Sequence, residues 1–430
     1  MTTIGIPGSP RGIQKEDPTL AEVLKVAGYK TGQFGKNHLG DRNDFLPTVH
    51  GFDEWFGNLY HLNAEEEPEE LDYPGQKNPE YLKKYGPRGV LHAWATDEFD
   101  ETDDGVFGKR GKQKIENTGP LTRKRMETFD GDVVDKTIDW LERNKEGPFF
   151  CWFNTTAIHI HSHPQKKYVQ MAVDEGRAEE DVVRAKMIEH DEQVGVLLKW
   201  LDDNDLADDT IVIYSTDNGN EMMLWPDGGY APFRGEKGTT WEGGVRVPML
   251  ARWPGNIPAG SWCNGVQNHE DVYVTLAAAA GLPDIKEAAR RHQAGGRADL
   301  QGPSRRLQPA RHVEGRQQGL GAQGLLLLRR DRADRDPGEQ LEDAHRRQEG
   351  GQLVQRQDLS FRAVPVPPAH VPDGEDGPGK PRMGLHRPQV LRQQALGADR
   401  RHPLHRRAPC QPEGLSPAPG GGYAEHAQGA

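Results

Sequence analysis

One apolar stretch constrains what the middle of this chain can fold into. Residues 210–214, T-I-V-I-Y, form an unbroken run of β-branched and aromatic side chains. Such a run predicts a strand buried on both faces, as in a parallel sheet covered by helices. Asp217 and Asn218 follow at its carboxyl end, where open α/β sheets bind ligands. A carboxylate beside an amide oxygen suits a hard cation such as Ca²⁺ or Mg²⁺, although Asp-Asn-Gly is also an ordinary turn.

The Gly- and Pro-rich loop after this strand carries two cations, Arg234 and Lys237. If the loop returns toward the carboxyl end of the strand, these side chains can hold the non-bridging oxygens of a sulfate or phosphate group. The alternative is that both charges lie in solvent. The first interpretation predicts that a metal ion and an anion clamp share one site.

A second block, residues 29–41, reads Y-K-T-G-Q-F-G-K-N-H-L-G-D. Residues 31–34 are read as a short strand, with Lys36 and His38 on the loop at its end. Alternate residues of an extended segment face the same side, so both side chains can enter one pocket. Lys36 would then be a fixed cation and His38 a group that titrates near neutral pH. The alternative is an exposed polar loop.

A third block begins with the apolar run 149–153, which predicts another strand. His159, His161 and His163 follow it at a spacing of two residues. Histidines in this pattern can ligate a transition metal. The alternative interpretation is a solvated loop.

Together these blocks resemble the sulfatase family. T-D-N-G followed by P-F-R-G-E-K-G-T-T-W-E-G-G-V-R-V-P is similar to the second signature block of that family. G-K-N-H-L-G resembles its G-K-W-H-L-G motif, with Asn37 where the family often has Trp, and L-P-T-V-H-G-F-D-E-W-F-G-N-L-Y-H continues the likeness. The resemblance covers roughly residues 1–286. It implies an arylsulfatase-type hydrolase of the alkaline-phosphatase superfamily, an α/β protein with a mostly parallel central sheet flanked by helices.

The resemblance also implies roles for the residues that bind the sulfate group. By position, Lys36 and Lys237 would hold sulfate oxygens, and Arg234 lies in the same block as Lys237. His38 would assist breakdown of the covalent intermediate, and His159 would protonate the leaving alcohol. The substrate would be a small sulfate ester.

For the metal ion, the resemblance implies that Asp217 and Asn218 bind Ca²⁺ or Mg²⁺, which polarises the sulfate. It gives no role to His161 or His163. The family's nucleophile is a formylglycine made from the Cys or Ser of a C/S-x-P-x-R motif.

That nucleophile motif does not occur at any cysteine of this chain. Cys151 lies in a predicted strand, Cys263 in a loop and Cys410 in the divergent C-terminal segment, while Ser9-Pro10-Arg11 echoes the motif only in part. We expect the first strand of the family, with its paired Asp residues and the nucleophile, to lie before residue 1. The chain as sequenced is therefore predicted to be inactive or nearly so. Two alternatives remain open, a phosphate or phosphonate ester hydrolase of the same superfamily and a non-catalytic protein that binds anions.

Composition divides the chain near residue 287. All nine Trp, eleven of twelve Phe and nine of ten Tyr lie before it, and Arg, Gln, Pro, Gly and Ala dominate after it. Residues 287–430 are predicted to lack a stable fold, either as a disordered tail or as an out-of-frame translation of a GC-rich gene. Residues 1–286 are then a partial catalytic domain, in which 60–127, poor in periodic segments, is an insertion over the site.

Charge and hydropathy exclude some functions. The net charge of −12 argues against non-specific nucleic-acid binding, which needs a basic surface. No apolar run approaches the roughly 20 residues of a membrane span, and the N-terminus has no signal-peptide pattern. We therefore expect no membrane partner. The expected location is the cytoplasm if the chain is complete, and the periplasm if a signal sequence precedes it.

Overall fold

The computed structural model describes residues 4–178, 181–221, 228–229, 231–263, 265–286 and 324–329. The helices are α1 Leu20–Val26, α2 Leu62–Glu66, α3 Pro79–Tyr85, α4 Arg123–Asn144, α5 Lys166–Asp174, α6 Val182–Asp203, α7 Glu242–Val245 and α8 His269–Ala279. The strands are β1 Lys30–Gly35, β2 Glu54–Asn58, β3 Val90–Asp103, β4 Lys109–Asn117, β5 Phe149–Asn154, β6 Thr210–Ser215, β7 Met249–Arg252 and β8 Gly324–Arg329. Among these helices, none is both long enough and apolar enough to cross a bilayer.

All eight strands belong to one mixed sheet, in the order β4-β3-β2-β1-β5-β8-β6-β7. Strands β1, β2, β4, β5 and β6 run in one direction, and β3, β7 and β8 run in the other. The carboxyl ends of β1, β5 and β6 therefore meet at one edge of the sheet. Each of the three sequence blocks leaves the sheet at this edge.

Two apolar layers bury the sheet. On one face, Trp140 of α4 and Leu197 of α6 pack with Phe153 of β5 in the larger cluster. On the other face, Leu24 of α1 and Leu276 of α8 pack in a second cluster with β-strand side chains. The β1 and β5 side chains need both layers because successive residues of a strand point to opposite faces. The predicted α/β class, a central sheet flanked by helices, is confirmed. The sheet is mixed rather than mostly parallel, since among the described strands only β1–β2 and β1–β5 pair in parallel.

The segment 60–127 is more regular than its sequence suggests. It contains α2 and α3, and its strands β3 and β4 form a hairpin that extends the central sheet. The inner part of β3, Val90–Ala93, is buried, whereas its outer part carries D-E-F-D-E-T-D and is largely exposed. The sequence of this segment shows little periodicity because the charged outer half of the hairpin hides the strand pattern. Its placement over the site stays a prediction.

Strand β8 lies inside the segment that was predicted to lack a fold. It pairs antiparallel with both β5 and β6 and fills the position between them. Its four consecutive leucines, Leu325–Leu328, are all buried, so this short run can stabilise a strand where the surrounding sequence cannot. The prediction is wrong for these six residues. The rest of residues 287–430 lies outside the described residues.

Candidate active site

Lys36 enters the site because β1 ends on a glycine. Gly35 has a φ of 105°, and a Cβ there would lie 1.6 Å from the carbonyl oxygen of Asn154 on β5. Only glycine permits this approach. The next amide, that of Lys36, donates to the same Asn154 oxygen at 3.0 Å. Lys36 is 4% exposed, and burial lowers its pKa to about 8, against an opposing effect of the Asp217 carboxylate.

Three histidines from separate segments meet near Lys36. The ring of His38 lies edge-on to that of His61, with centroids 5.4 Å apart. The rings of His61 and His159 stack at 4.5 Å with an interplanar angle of 4°. His38 donates its Nε2–H to the carbonyl oxygen of Gly5 at 3.1 Å. The structure thus brings both predicted catalytic histidines together and adds a third.

All three histidines are neutral at physiological pH. Burial, and then the positive charge of Lys36, lowers the pKa of His38 to about 4, of His61 to about 3 and of His159 to about 2. Desolvation and a nearby cation both disfavour the imidazolium form. A site of this kind keeps its histidines as neutral donors and acceptors and leaves the positive charge on lysine.

Lys237 is the second cation of the site. Its Nζ donates to Nε2 of His159 at 2.9 Å and to Oε2 of Glu221 at 3.1 Å. Its side chain is 10% exposed. Because an ammonium group only donates, Nε2 of His159 is the acceptor and the ring proton resides on Nδ1. Nδ1 is buried and has no partner among the described residues.

Asp217 and Asn218 follow β6 and are half-buried. Nδ2 of Asn218 donates to the carbonyl oxygen of Gly219 at 2.9 Å, which leaves Oδ1 as the atom able to ligate. A carboxylate and an amide oxygen fit the hard cation implied by the family resemblance. Ca²⁺ takes six to eight oxygens, however, and no group of three or more acidic, His or Cys side chains converges within the described residues. These two residues account for only part of a coordination shell.

The remaining sequence candidates make other contacts. Arg234 is exposed, and its guanidinium lies 4.0 Å from the ring centroid of Trp241. His161 and His163 turn away from His159 and bind Glu66 instead. The interpretation of the three histidines as one transition-metal site is therefore wrong.

Two members of the cluster were missed from the sequence. His61 ends the quoted L-P-T-V-H-G-F-D-E-W-F-G-N-L-Y-H block, but a single histidine before a short helix has no local pattern that marks a site. Glu221 lies four residues after Asp217. Its closeness to the carboxyl end of β6 is the sequence signal that could have marked it as part of the site.

The part of the chain that holds this site is similar to known proteins. The model of the Sulfatase family matches residues 1–282. Human N-acetylgalactosamine-6-sulfatase is 31% identical over 283 residues, which cover 65% of this chain and 47% of that protein. Human arylsulfatase A is 31% identical over 284 residues, which cover 65% of this chain and 50% of that protein. The chain spans about half the length of the curated relatives it matches.

Solved structures agree with this match. The PsFucS1 sulfatase from Pseudoalteromonas sp. superposes with a TM-score of 0.53 at 27% identity, over 64% of this chain and 53% of that chain. The family match covers more than half of the 430 residues and includes every predicted site residue. The chain belongs to the sulfatase family.

Proposed function

We propose that the site binds the sulfate group of a small sulfate ester and serves its hydrolysis. The observation that carries this proposal is the pair of lysines, Lys36 and Lys237, which are at most 10% exposed and lie close enough that the charge of Lys237 lowers the pKa of Lys36. Burial makes the charge of Lys36 costly and lowers its pKa, although the Asp217 carboxylate outweighs the repulsion from Lys237. An anion held by both ammonium groups would replace part of the hydration that burial removes.

In this proposal the lysines hold sulfate oxygens. An ammonium group has three N–H donors, and Lys237 uses one on His159 and one on Glu221, so one is available for the anion. Lys36 remains protonated at pH 7, since the pKa of its side chain is about 8. Arg234 would need a different rotamer to contribute, because its guanidinium stacks on Trp241.

The histidines move protons. His159 gives its Nδ1 proton to the leaving alcohol and takes a proton from Lys237 at Nε2, which balances the charge on the ring. His38 donates Nε2–H to Gly5, so Nδ1 is its basic atom and accepts a proton when the site returns to its starting state. When present, a formylglycine supplies the nucleophile and a divalent cation, which Asp217 and Asn218 would help to hold, polarises the sulfate.

The 430-residue chain itself favours a second, narrower function. No Cys or Ser in its sequence lies in a C/S-x-P-x-R motif. Loss of a nucleophile typically costs several orders of magnitude in rate. We therefore propose that this polypeptide binds sulfate with little or no turnover. The relatives named for N-acetylgalactosamine-6-sulfate and for aryl sulfates support a sulfate ester as the ligand of the lineage.

Both proposals are tested on the purified chain. Calorimetric titration should detect binding of inorganic sulfate to the chain. The chain should hydrolyse 4-nitrophenyl sulfate no faster than buffer alone does. Titration with inorganic phosphate and assay of 4-nitrophenyl phosphate distinguish a phosphatase relative. Sulfate release well above the buffer rate would contradict the narrower proposal, and absence of sulfate binding would contradict the first.

A further inference from the structure

The two histidines that the sulfate site does not use converge on one carboxylate. Nδ1 of His161 lies 2.5 Å from Oε1 of Glu66, and Nε2 of His163 lies 2.7 Å from Oε2. Arg123 approaches the same carboxylate, with Nε 3.2 Å from Oε2. We call Glu66, His161, His163 and Arg123 the Glu66 clasp.

The clasp carboxylate is buried and charged. The side chain of Glu66 is 5% exposed. Burial opposes ionisation, but hydrogen bonds from Arg123, His161 and His163 outweigh it and hold the pKa of Glu66 below its usual value. Charge-assisted hydrogen bonds of this kind are stronger than neutral ones, and a buried carboxylate that loses them is costly. The interaction is therefore suited to fixing the segments that it joins.

Those segments both carry site histidines. Glu66 is the last residue of α2, and His61 is the residue immediately before that helix. His161 and His163 lie two and four residues after His159, in a stretch between β5 and α5 that has no helix or strand to hold it. His61 and His159 stack at one end, and the clasp joins the same two segments at the other.

The backbone of this loop supports a restrained conformation. His161 has a φ of 64°, in the left-handed region that non-glycine residues seldom adopt. Such a conformation persists only where surrounding contacts hold it. The hydrogen bond from His161 to Glu66 is a contact of that kind.

We propose that Glu66 is a positioning residue, which holds His159 against His61 and within hydrogen-bonding reach of Lys237 by tying the His159 loop to α2. This inference rests on the proposed function in one respect, that His159 faces the bound anion. Without the clasp, the loop gains conformational freedom and His159 spends less time at the 2.9 Å distance from Lys237.

The test compares Glu66→Gln with Glu70→Gln in the full chain. Glu70 also pairs with Arg123 but contacts neither histidine. Glu70→Gln therefore removes a carboxylate that pairs with Arg123 and leaves the contacts of both histidines intact. Two quantities are measured, the ¹⁵N chemical shifts of the His159 and His61 rings and the Kd for inorganic sulfate. The ring shifts report the hydrogen bond at Nε2 of His159 and do not follow from a general loss of stability.

In Glu66→Gln we expect the Nε2 shift of His159 to move toward that of a ring without a lysine donor. The sulfate Kd should rise about tenfold, because His159 no longer holds Lys237 in place for its charge-assisted hydrogen bond to the anion. Glu70→Gln should match wild type in both. If Glu66→Gln does not fold, the double variant His161→Gln with His163→Gln, which retains the Glu66–Arg123 pair, must give the same changes. Ring shifts and Kd values that are the same in wild type and all variants would overturn the proposal that Glu66 positions His159. A wild-type chain that binds no sulfate contradicts the proposed function instead, because the ring shifts still decide whether Glu66 positions His159.

Discussion

His61 and His159 lie with their imidazole planes 4° from parallel and their centroids 4.5 Å apart, although they are 98 positions apart in the sequence. Neither ring can take up a proton easily, because burial and the charge of Lys36 lower the pKa of each. Burial therefore keeps both rings neutral, and the charge of Lys36 adds to its effect.

Replacement of Lys36 by Met should raise the pKa of both His61 and His159. After burial, the charge of Lys36 is the largest cause of their lowered pKa values of about 3 and about 2. NMR titration of the ring resonances measures the change. Lys25→Met is the matched control, because Lys25 pairs with Asp53 at 2.7 Å and does not affect these histidines. Histidine pKa values that do not move in Lys36→Met would show that burial alone sets them.

The affinity for sulfate should fall at alkaline pH. Lys36 carries its charge below a pKa of about 8 and loses it above, so the cation that holds the anion disappears as pH rises through 8. A bound anion raises the pKa of Lys36, and between the free and bound pKa values the affinity should drop about tenfold per pH unit. Calorimetry from pH 6.5 to 9.5 measures this. Lys36→Arg should remove the slope, since guanidinium stays protonated. A flat profile in wild type would exclude Lys36 as the titrating group.

Asp217 should contribute to cation binding and should raise the pKa of Lys36. Asp217→Asn removes a carboxylate that raises the pKa of Lys36, so that pKa should fall below its value of about 8. It should also weaken binding of Ca²⁺, because a neutral amide oxygen is a poorer ligand for a hard cation than a carboxylate. Asp208→Asn is the control, since Asp208 is exposed before the opposite end of β6. ¹³C NMR of methylated lysines measures the pKa of Lys36, and calorimetry measures the affinity for Ca²⁺. An unchanged pKa of Lys36 would show that Asp217 does not act on this lysine.

The sequence predicts the strands that form the site better than it predicts the full set of site residues. Apolar runs marked β5 and β6, and the polar residues at their ends followed from where parallel strands bind ligands. His61 could not be found in this way, because its place beside His159 depends on how α2 packs rather than on local pattern. The position of β8 between β5 and β6 is likewise a choice of pairing partner, which sequence periodicity does not encode.

Lys186 should contribute strongly to stability. It is fully buried in α6, and its Nζ lies 2.8 Å from Asp130 and 3.1 Å from Glu189, both also fully buried. Lys186→Met leaves two buried carboxylates without their cation, which should lower the free energy of unfolding by about 3–5 kcal/mol. Urea denaturation measures this free energy of unfolding. Lys199→Met, which breaks an exposed pair with Asp203, should cost only about 0.5 kcal/mol. Equal costs would mean that the buried network adds nothing beyond a surface pair.

The most direct test of the sulfate site is calorimetric titration of inorganic sulfate into wild type, Lys36→Met, Lys237→Met and the surface control Lys199→Met at pH 7. Two buried ammonium groups that share one anion predict saturable binding by wild type and by the control, with Kd at least about tenfold higher in each site variant, as expected for the loss of a charge-assisted hydrogen bond. Sulfate that binds equally well to all four proteins, or to none, would contradict the assignment of Lys36 and Lys237 to a sulfate site.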